Sequence, residues 1–202
     1  MSRSLSREEG FTLAEVLVAM VMMAVVLFAL YAMFDAGVRI FGAGRDRAEA
    51  AQAARLGLAR MAREIRAAYP QDRANGNETL LSDFTQERLI FGNDQNGNRR
   101  TLDPATGTLE AHDRISYALD GSGNPLRNGV RLVESAGDVD GDGRALTFEY
   151  LDANGSPVVG GLEEDVALVR IELEIYAGSD AGGRSVGQTL TTVVALRNRG
   201  GV

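Results

Sequence analysis

The sequence contains one spacing of acidic residues that is typical of a calcium-binding loop. Asp138, Asp140 and Asp142 alternate along a short segment, a glycine follows at the sixth position, and Glu149 stands at the twelfth. Alternate carboxylates turn inward on such a loop, the glycine permits the sharp turn, and the last glutamate can bind the ion through both oxygens. The Arg144 carbonyl would supply the seventh-position ligand. The sequence therefore predicts calcium as its candidate cofactor, held by Asp138, Asp140, Asp142, Arg144 and Glu149.

The residues around this loop do not follow the helix–loop–helix pattern. Ala145 to Tyr150 alternates like a strand, and Leu146 at the ninth position offers no side-chain ligand. A solvated acidic hairpin turn without an ion is therefore the alternative interpretation. The segment Asp94-x-Asn96-x-Asn98 is a weaker form of the same pattern, because it lacks both the following glycine and the terminal glutamate.

No set of residues suited to catalysis emerges. The chain has no cysteine, which excludes a thiol nucleophile, disulfides and thiolate zinc sites. His112 is its single histidine and lies in a polar loop, while Asp83, Glu163 and Glu164 have no visible partner for acid–base work. There is also no phosphate-binding loop. The sequence therefore does not predict an enzyme.

The charge distribution argues against nucleic acid as a partner. The net charge is -7, all 21 basic residues are arginine, and no dense basic stripe is present. Several arginines cluster in the N-terminal third, so the acidic excess lies in the rest of the chain. A basic stem and an acidic body favour contacts between copies of the chain or with close relatives.

A long apolar run near the N-terminus predicts a membrane helix. In the run from Phe11 to Phe34, Glu15 is the only charged residue. A helix of that length spans roughly 36 Å, which exceeds the hydrocarbon thickness of about 30 Å. A carboxylate inside a membrane costs about 2.5 kcal/mol or more, so Glu15 is expected to have a partner or a function.

The residues at the start of this run resemble a known signal. Gly10-Phe11-Thr12-Leu13-Ala14-Glu15-Val16-Leu17-Val18-Ala19 is similar to the class III signal sequence of type IV prepilins and type II secretion pseudopilins. The resemblance implies that prepilin peptidase cuts between Gly10 and Phe11, and that the new Phe11 amine is methylated. It also implies that Glu15 pairs with the Phe11 amine of a neighbouring subunit and so sets the register of assembly.

The chain divides into four predicted segments: a leader (1–10), a membrane and assembly helix (11–34), an amphipathic stem helix (35–68) and a β-rich head (69–202). One apolar face of the stem contains Leu58, Met61, Ile65 and Ala68. Pro70 is expected to end the helix. A bend or local melting is expected between stem and membrane helix, at Gly37, Gly42 and Gly44.

The head shows the alternation of short strands. The predicted strands are Arg88–Phe91, Arg114–Leu119, Val130–Val133, Ala145–Tyr150, Val166–Tyr176 and Thr189–Leu196. Asp120-Gly121, Asn128-Gly129 and Asn154-Gly155 are turn signals. The predicted fold class is α+β and pilin-like, with the long helix packed on one antiparallel sheet.

The resemblance implies a minor pilin or pseudopilin, a structural subunit of a type IV pilus-like or type II secretion filament. The head is similar to the J-type minor pseudopilins and the PilW-type minor pilins in three features: Asn93–Asn98, Arg114–Tyr117 and Leu196–Asn198. The implied partners are other pilin subunits, prepilin peptidase, the inner-membrane assembly machinery and lipid. The implied location is the bacterial cytoplasmic membrane, with the head outside the cytoplasm, followed by a filament. The alternative is a single-pass, membrane-anchored extracellular binding module or adhesin.

Overall fold

The computed structural model describes residues 10–68, 81, 83–158, 165–179 and 185–196. The elements are α1 (Leu13–Arg66), β1 (Asp83–Phe84), β2 (Arg88–Gly92), β3 (Arg114–Leu119), β4 (Pro125–Arg127), β5 (Val130–Arg131), β6 (Leu146–Leu151), β7 (Leu168–Ser179) and β8 (Ser185–Ala195). The chain forms two compact units, Met1–Gly44 and Arg45–Val202. Predictions that concern residues 1–9, Pro70, Glu163, Glu164 and Arg197–Asn198 lie outside the described residues.

The first unit consists of the N-terminal part of α1, and its apolar side chains are exposed. Phe11 is 87% exposed and Phe41 is 81% exposed, and none of the described residues of this unit is buried. By length and composition α1 is the one described helix that could cross a membrane. A surface this apolar requires lipid or other helices as its surroundings, because water would hydrate it at high cost.

The helix is continuous where glycines predicted a bend or local melting. Gly37, Gly42 and Gly44 all lie inside α1. Each glycine costs only about 1 kcal/mol of helix propensity, and the strong helix formers on both sides propagate the hydrogen bonds through them. No melting is seen in this part of the described chain, and flexibility during assembly stays a prediction.

The second half of α1 contributes one face to the core of the second unit. Leu58, Met61, Ile65 and Ala68 are all buried, as the spacing predicted. They belong to the same cluster of buried residues as the strands. The amphipathic pattern therefore identified the packed face of the stem.

The first sheet has five antiparallel strands in the order β1-β2-β3-β4-β5. Alternate residues of β2 and β3 face the core, among them Phe91 and Tyr117, whose rings stack at 6.4 Å. Asn128 and Gly129 join β4 to β5 with φ angles of 49° and 79°. Positive φ at both positions defines a tight hairpin turn that favours the Asn-Gly pair, which confirms the turn predicted from these two residues.

The second sheet has three antiparallel strands in the order β6-β7-β8. Val169, Ile171, Leu173 and Ile175 are fully buried along one face of β7. Among the described strands β8 pairs only with β7, so its other edge is open.

Tyr150 on β6 forms contacts between the second sheet and the first. Its hydroxyl oxygen lies 2.9 Å from the Thr85 carbonyl oxygen and 3.1 Å from that of Arg88, and its ring meets Phe84 edge-on at 5.1 Å. The α+β class and pilin-like layout are confirmed. The expectation of one sheet is wrong, because alternation shows which residues face a core but not which strands pair.

Candidate processing and assembly site

The bond between Gly10 and Phe11 lies in an exposed, non-helical segment. Residues 10–12 precede α1, and both Gly10 and Phe11 are exposed. Among the described residues, no group other than the chain neighbours lies within 4 Å of the position where a Gly10 Cβ would stand. A peptidase must bind its substrate in an extended form, and this segment needs no unfolding to reach that form.

Glu15 closes the first turn of α1 together with Thr12. The Glu15 amide donates to the Thr12 hydroxyl oxygen at 3.2 Å, and the Thr12 amide donates to the Glu15 carboxylate at 3.1 Å. The Thr12 hydroxyl donates to the same carboxylate oxygen at 3.1 Å. This arrangement is a capping box, in which two side chains satisfy the free amides at a helix start. A negative charge there also favours the positive end of the helix dipole.

The resemblance to prepilin signals implies a role for Glu15 between subunits, and the structure adds this role within the subunit. Every residue of the cap follows the Gly10–Phe11 bond, so the cap would survive cleavage. A carboxylate that already accepts from Thr12 has lone pairs left for a further donor. The cap therefore fixes the direction of the carboxylate at the end of the apolar helix.

A polar network holds the stem to the first sheet. Glu64 on α1 accepts from the Tyr117 hydroxyl at 2.5 Å and from Arg127 Nε at 2.9 Å, and Arg60 Nε donates to its other oxygen at 3.0 Å. Burial raises the pKa of Glu64, but the hydrogen bonds from Arg127, Tyr117 and Arg60 outweigh it and hold that pKa below its ordinary value. Burial and the Glu64 carboxylate raise the pKa of the Tyr117 hydroxyl.

The predicted calcium ligands are only partly brought together. Asp138 and Asp140 lie in one exposed turn, where Asp138 accepts from the Gly141 amide at 2.7 Å and Asp140 accepts from the Asp142 amide at 3.0 Å. Asp142 accepts from the Arg144 amide at 2.8 Å, and the Arg144 guanidinium pairs with Glu87 at 2.9 Å. These bonds shape the turn whether or not an ion is bound.

Glu149, the predicted twelfth-position ligand, faces a different partner. It lies on β6 directly opposite Arg170 of β7 and forms an ion pair with it. In a calcium loop the chain turns into a helix that returns this residue to the ion. Here β6 is extended, and five residues of strand cover roughly 16 Å, which carries Glu149 away from the turn.

Glu174 on β7 is the acid that the structure brings to the turn instead. Its Oε2 accepts from the Val139 amide at 2.6 Å and from the Asp140 amide at 3.2 Å. Possible ligand atoms of Asp138, Asp140 and Glu174 all lie within 4.8 Å of one another. The sequence predicts a strand over Val166–Tyr176, which includes Glu174, but gives no means of pairing that strand with the loop.

Comparison with known proteins identifies one segment of the chain. A family model described as the prokaryotic N-terminal methylation motif matches residues 5–31. No curated protein and no solved structure matches the chain. The motif implies a substrate of prepilin peptidase that contacts other pilin subunits and is anchored in a membrane. The chain thus carries the N-terminal methylation motif that is typical of type IV prepilin-like proteins, at the start of a membrane-length helix that leads into an α+β body.

Proposed function

We propose that this protein is a minor pilin or pseudopilin, a structural subunit rather than an enzyme. Prepilin peptidase would cut it between Gly10 and Phe11, and the mature chain would join a type IV pilus-like or type II secretion filament. The observation that carries the proposal is the methylation motif at residues 5–31, which includes both the exposed bond and Glu15. The finer placement among J-type pseudopilins or PilW-type minor pilins belongs to the same proposal.

The exposed apolar helix supports assembly through the N-terminal part of α1. Its side chains remain uncovered in the isolated subunit from Phe11 to Phe41. Lipid would cover them before assembly, and the helices of neighbouring subunits would cover them afterwards. The carboxylate of Glu15 would then neutralise the Phe11 amine of the next subunit, because an unpaired charge is costly in surroundings of this kind.

The mature N-terminus can be measured directly. The sequence contains no lysine, so the terminal α-amine is the one primary amine that the chain can carry. We expect mass spectrometry of the native protein to find an N-terminal peptide that begins with methylated Phe11 in cells with active prepilin peptidase. In cells without the peptidase the same peptide should retain residues 1–10. An N-terminus that still includes residues 1–10 in the presence of the active enzyme would contradict the proposal.

Three variants separate assembly by Glu15 from its capping role. Glu15→Gln preserves a capping side chain but removes the charge, whereas Thr12→Ala removes half of the cap and keeps the charge. We expect Glu15→Gln to lose incorporation into filaments and Thr12→Ala to retain most of it. Glu15→Ala should behave as Glu15→Gln does. Loss of incorporation in Thr12→Ala and Glu15→Ala, with full incorporation of Glu15→Gln, would assign Glu15 to the cap alone.

The same variants test the alternative, an anchored binding module. Such a module would need α1 only as an anchor, so Glu15→Gln would leave its function unchanged. Cross-linking of the mature chain to other pilin subunits in the membrane distinguishes the two functions. We expect such cross-links in wild type and their loss in Glu15→Gln.

A further inference from the structure

The long connection between β2 and β3 folds into two adjacent turns. The Asn93 amide donates to the Asp113 carbonyl oxygen at 2.9 Å, which closes the base of the loop. Leu102 and Leu109 form an isolated antiparallel bridge, so the chain turns back on itself between them. The Gln95 amide then donates to Asp113 Oδ1 at 2.9 Å. The first turn, at residues 94–98, therefore lies against the second, at residues 110–113.

Three side chains that can bind metals converge on the second turn. Glu110, His112 and Asp113 each place a possible ligand atom within 4.8 Å of those of the other two. His112 Nε2 lies 3.0 Å from Glu110 Oε2. Two ligands bound tetrahedrally to the same zinc ion at about 2.0–2.2 Å are separated by roughly 3.3–3.6 Å. His112 and Glu110 therefore need to move apart by only a few tenths of an ångström to become neighbouring ligands, and a ligand atom of Asp113 lies within 4.8 Å of both.

Asp113 gives a separate indication that this turn can bind a cation. Its side chain is fully buried, with 0% of its surface exposed. Oδ1 accepts from Gln95, but Oδ2 is buried without a hydrogen-bond partner among the described residues. An unpaired polar atom of a buried carboxylate carries its full desolvation cost, on the order of 1–3 kcal/mol or more. A cation that Asp113 bound through Oδ2, together with Glu110 and His112, would remove that cost.

The side chain of Asn96, in the first turn, contacts both Glu110 and His112. Its side-chain nitrogen lies 3.0 Å from Glu110 Oε2 and 2.6 Å from His112 Nε2. In the metal-free state this amide satisfies both groups. Rotation of the amide would replace the nitrogen by Oδ1, a possible fourth ligand, at the cost of the bond that Oδ1 accepts from the Asn98 amide at 2.8 Å.

We propose that Glu110, His112 and Asp113 bind a divalent transition-metal ion, with Zn²⁺ as the ion that fits the donor set. One imidazole nitrogen and two carboxylates suit zinc, whereas calcium prefers oxygen ligands alone. The ion fixes the turn at residues 110–113 and, through Asn96, the turn beside it. This site is independent of processing at Gly10 and of the acidic turn at residues 138–143.

The single histidine of the sequence makes the site directly observable. The full chain is purified in detergent without a polyhistidine tag, with ¹⁵N-labelled histidine, and titrated with Zn²⁺. We expect the imidazole resonances of His112 to shift and to saturate at one equivalent. Asp113→Asn, which keeps the Oδ1 acceptor for Gln95, should weaken zinc binding about tenfold or more, as the loss of a ligand or its support does. Asp140→Asn is the matched control in the other acidic turn and should leave the affinity unchanged.

Thermal melting of Asp113→Asn without metal shows whether this variant loses zinc binding because a ligand is gone or because the protein no longer folds. Asp113→Asn removes an unpaired buried charge, so its metal-free melting temperature should equal or exceed that of wild type, while the increase caused by zinc disappears. Unshifted His112 resonances in excess zinc would overturn the proposal. So would equal zinc affinity in wild type, Asp113→Asn and Glu110→Gln, because binding would then involve His112 alone. Saturation by calcium in place of zinc would overturn the assignment of the metal class.

Discussion

The carboxylate of Glu64 shows how one residue couples the stem to the sheet. Its side chain is only 14% exposed and accepts from three donors on α1, β3 and β4. Hydrogen bonds to a charged group of a partly buried pair contribute about 1.5–3 kcal/mol. A network of this kind is not visible in the sequence, because Glu64 and Arg127 are 63 positions apart.

The stability of the body should depend on pH through Glu64. Because its folded pKa is lowered from 4.5, the ionised carboxylate contributes stability above that value, and this contribution is lost as the pH falls through the folded pKa. We expect Glu64→Gln to lower the free energy of unfolding by about 1.5–3 kcal/mol at neutral pH. Urea unfolding of both proteins should show this difference shrinking in acid. A difference that is the same at neutral and acid pH would contradict the assignment.

Calcium binding at the turn of residues 138–143 stays a prediction, and the structure sharpens its test. We expect calcium to raise the melting temperature of the full chain in detergent, since a ligand at 100 times its dissociation constant adds about 2.7 kcal/mol. Asp140→Ala should remove the increase, because Asp140 belongs to both possible ligand sets.

Two further variants distinguish the ligand set of the sequence pattern from that of the structure. Glu174→Gln should abolish the calcium-dependent increase, and Glu149→Gln should keep it, because Glu149 pairs with Arg170. The opposite result would restore Glu149 as a ligand. A melting temperature that does not depend on calcium in wild type would exclude a structural site at this turn.

At the scale of elements, the sequence predicted those features that depend on neighbouring residues. The buried face of the stem follows from spacing at i, i+3 and i+7, and the Asn128–Gly129 turn follows from the φ angles that these residues permit. The processing site could be predicted equally well, because its motif is continuous in the sequence. Pairing between distant strands could not be predicted in this way, which explains why the sequence missed the second sheet and the position of Glu174, rather than Glu149, beside the turn at residues 138–143.

Gly57 on the stem lies against the chain that follows the first sheet. A Cβ at this position would lie 2.9 Å from Val133 Cγ2. Alanine would improve helix propensity by about 1 kcal/mol, but overpacking against a stiff valine costs about 1–3 kcal/mol. We therefore expect Gly57→Ala to destabilise the body slightly in chemical unfolding.

A double-mutant cycle with Val133→Ala tests this contact. Val133→Ala alone should destabilise the protein through lost burial, whereas the double variant should lose less than the sum of the two single changes. Additive losses would show that the Gly57 position does not press against Val133.

At the scale of the whole molecule, the exposed apolar surface and the packed core belong to different units. The large exposed apolar side chains of Phe11 to Phe41 lie in the first unit, and the buried cluster begins at Ala54 in the second. The two units therefore differ in what they need to be stable. The first needs a nonaqueous environment, whereas we expect the contacts within the second to be sufficient for its folding.

A fragment from Arg45 to Val202 should fold without the membrane helix. We expect it to be soluble, to show β-rich circular dichroism and to unfold in one cooperative transition, since it keeps the complete described core. The full chain under the same conditions should require detergent. Aggregation or a noncooperative transition of the fragment would show that the first unit contributes to the stability of the second.

The open edge of β8 has a consequence for hydrogen exchange. The Leu196 amide donates to the Ala167 carbonyl oxygen at 3.0 Å, so along the antiparallel ladder the amides of Thr192 and Val194 face β7, while those of Thr191 and Val193 face outward. Deuterium uptake along this single strand should therefore alternate from one residue to the next, with fast exchange at Thr191 and Val193 and protection at Thr192 and Val194. Loss of that alternation in an assembled particle would mark β8 as an edge that another chain has covered.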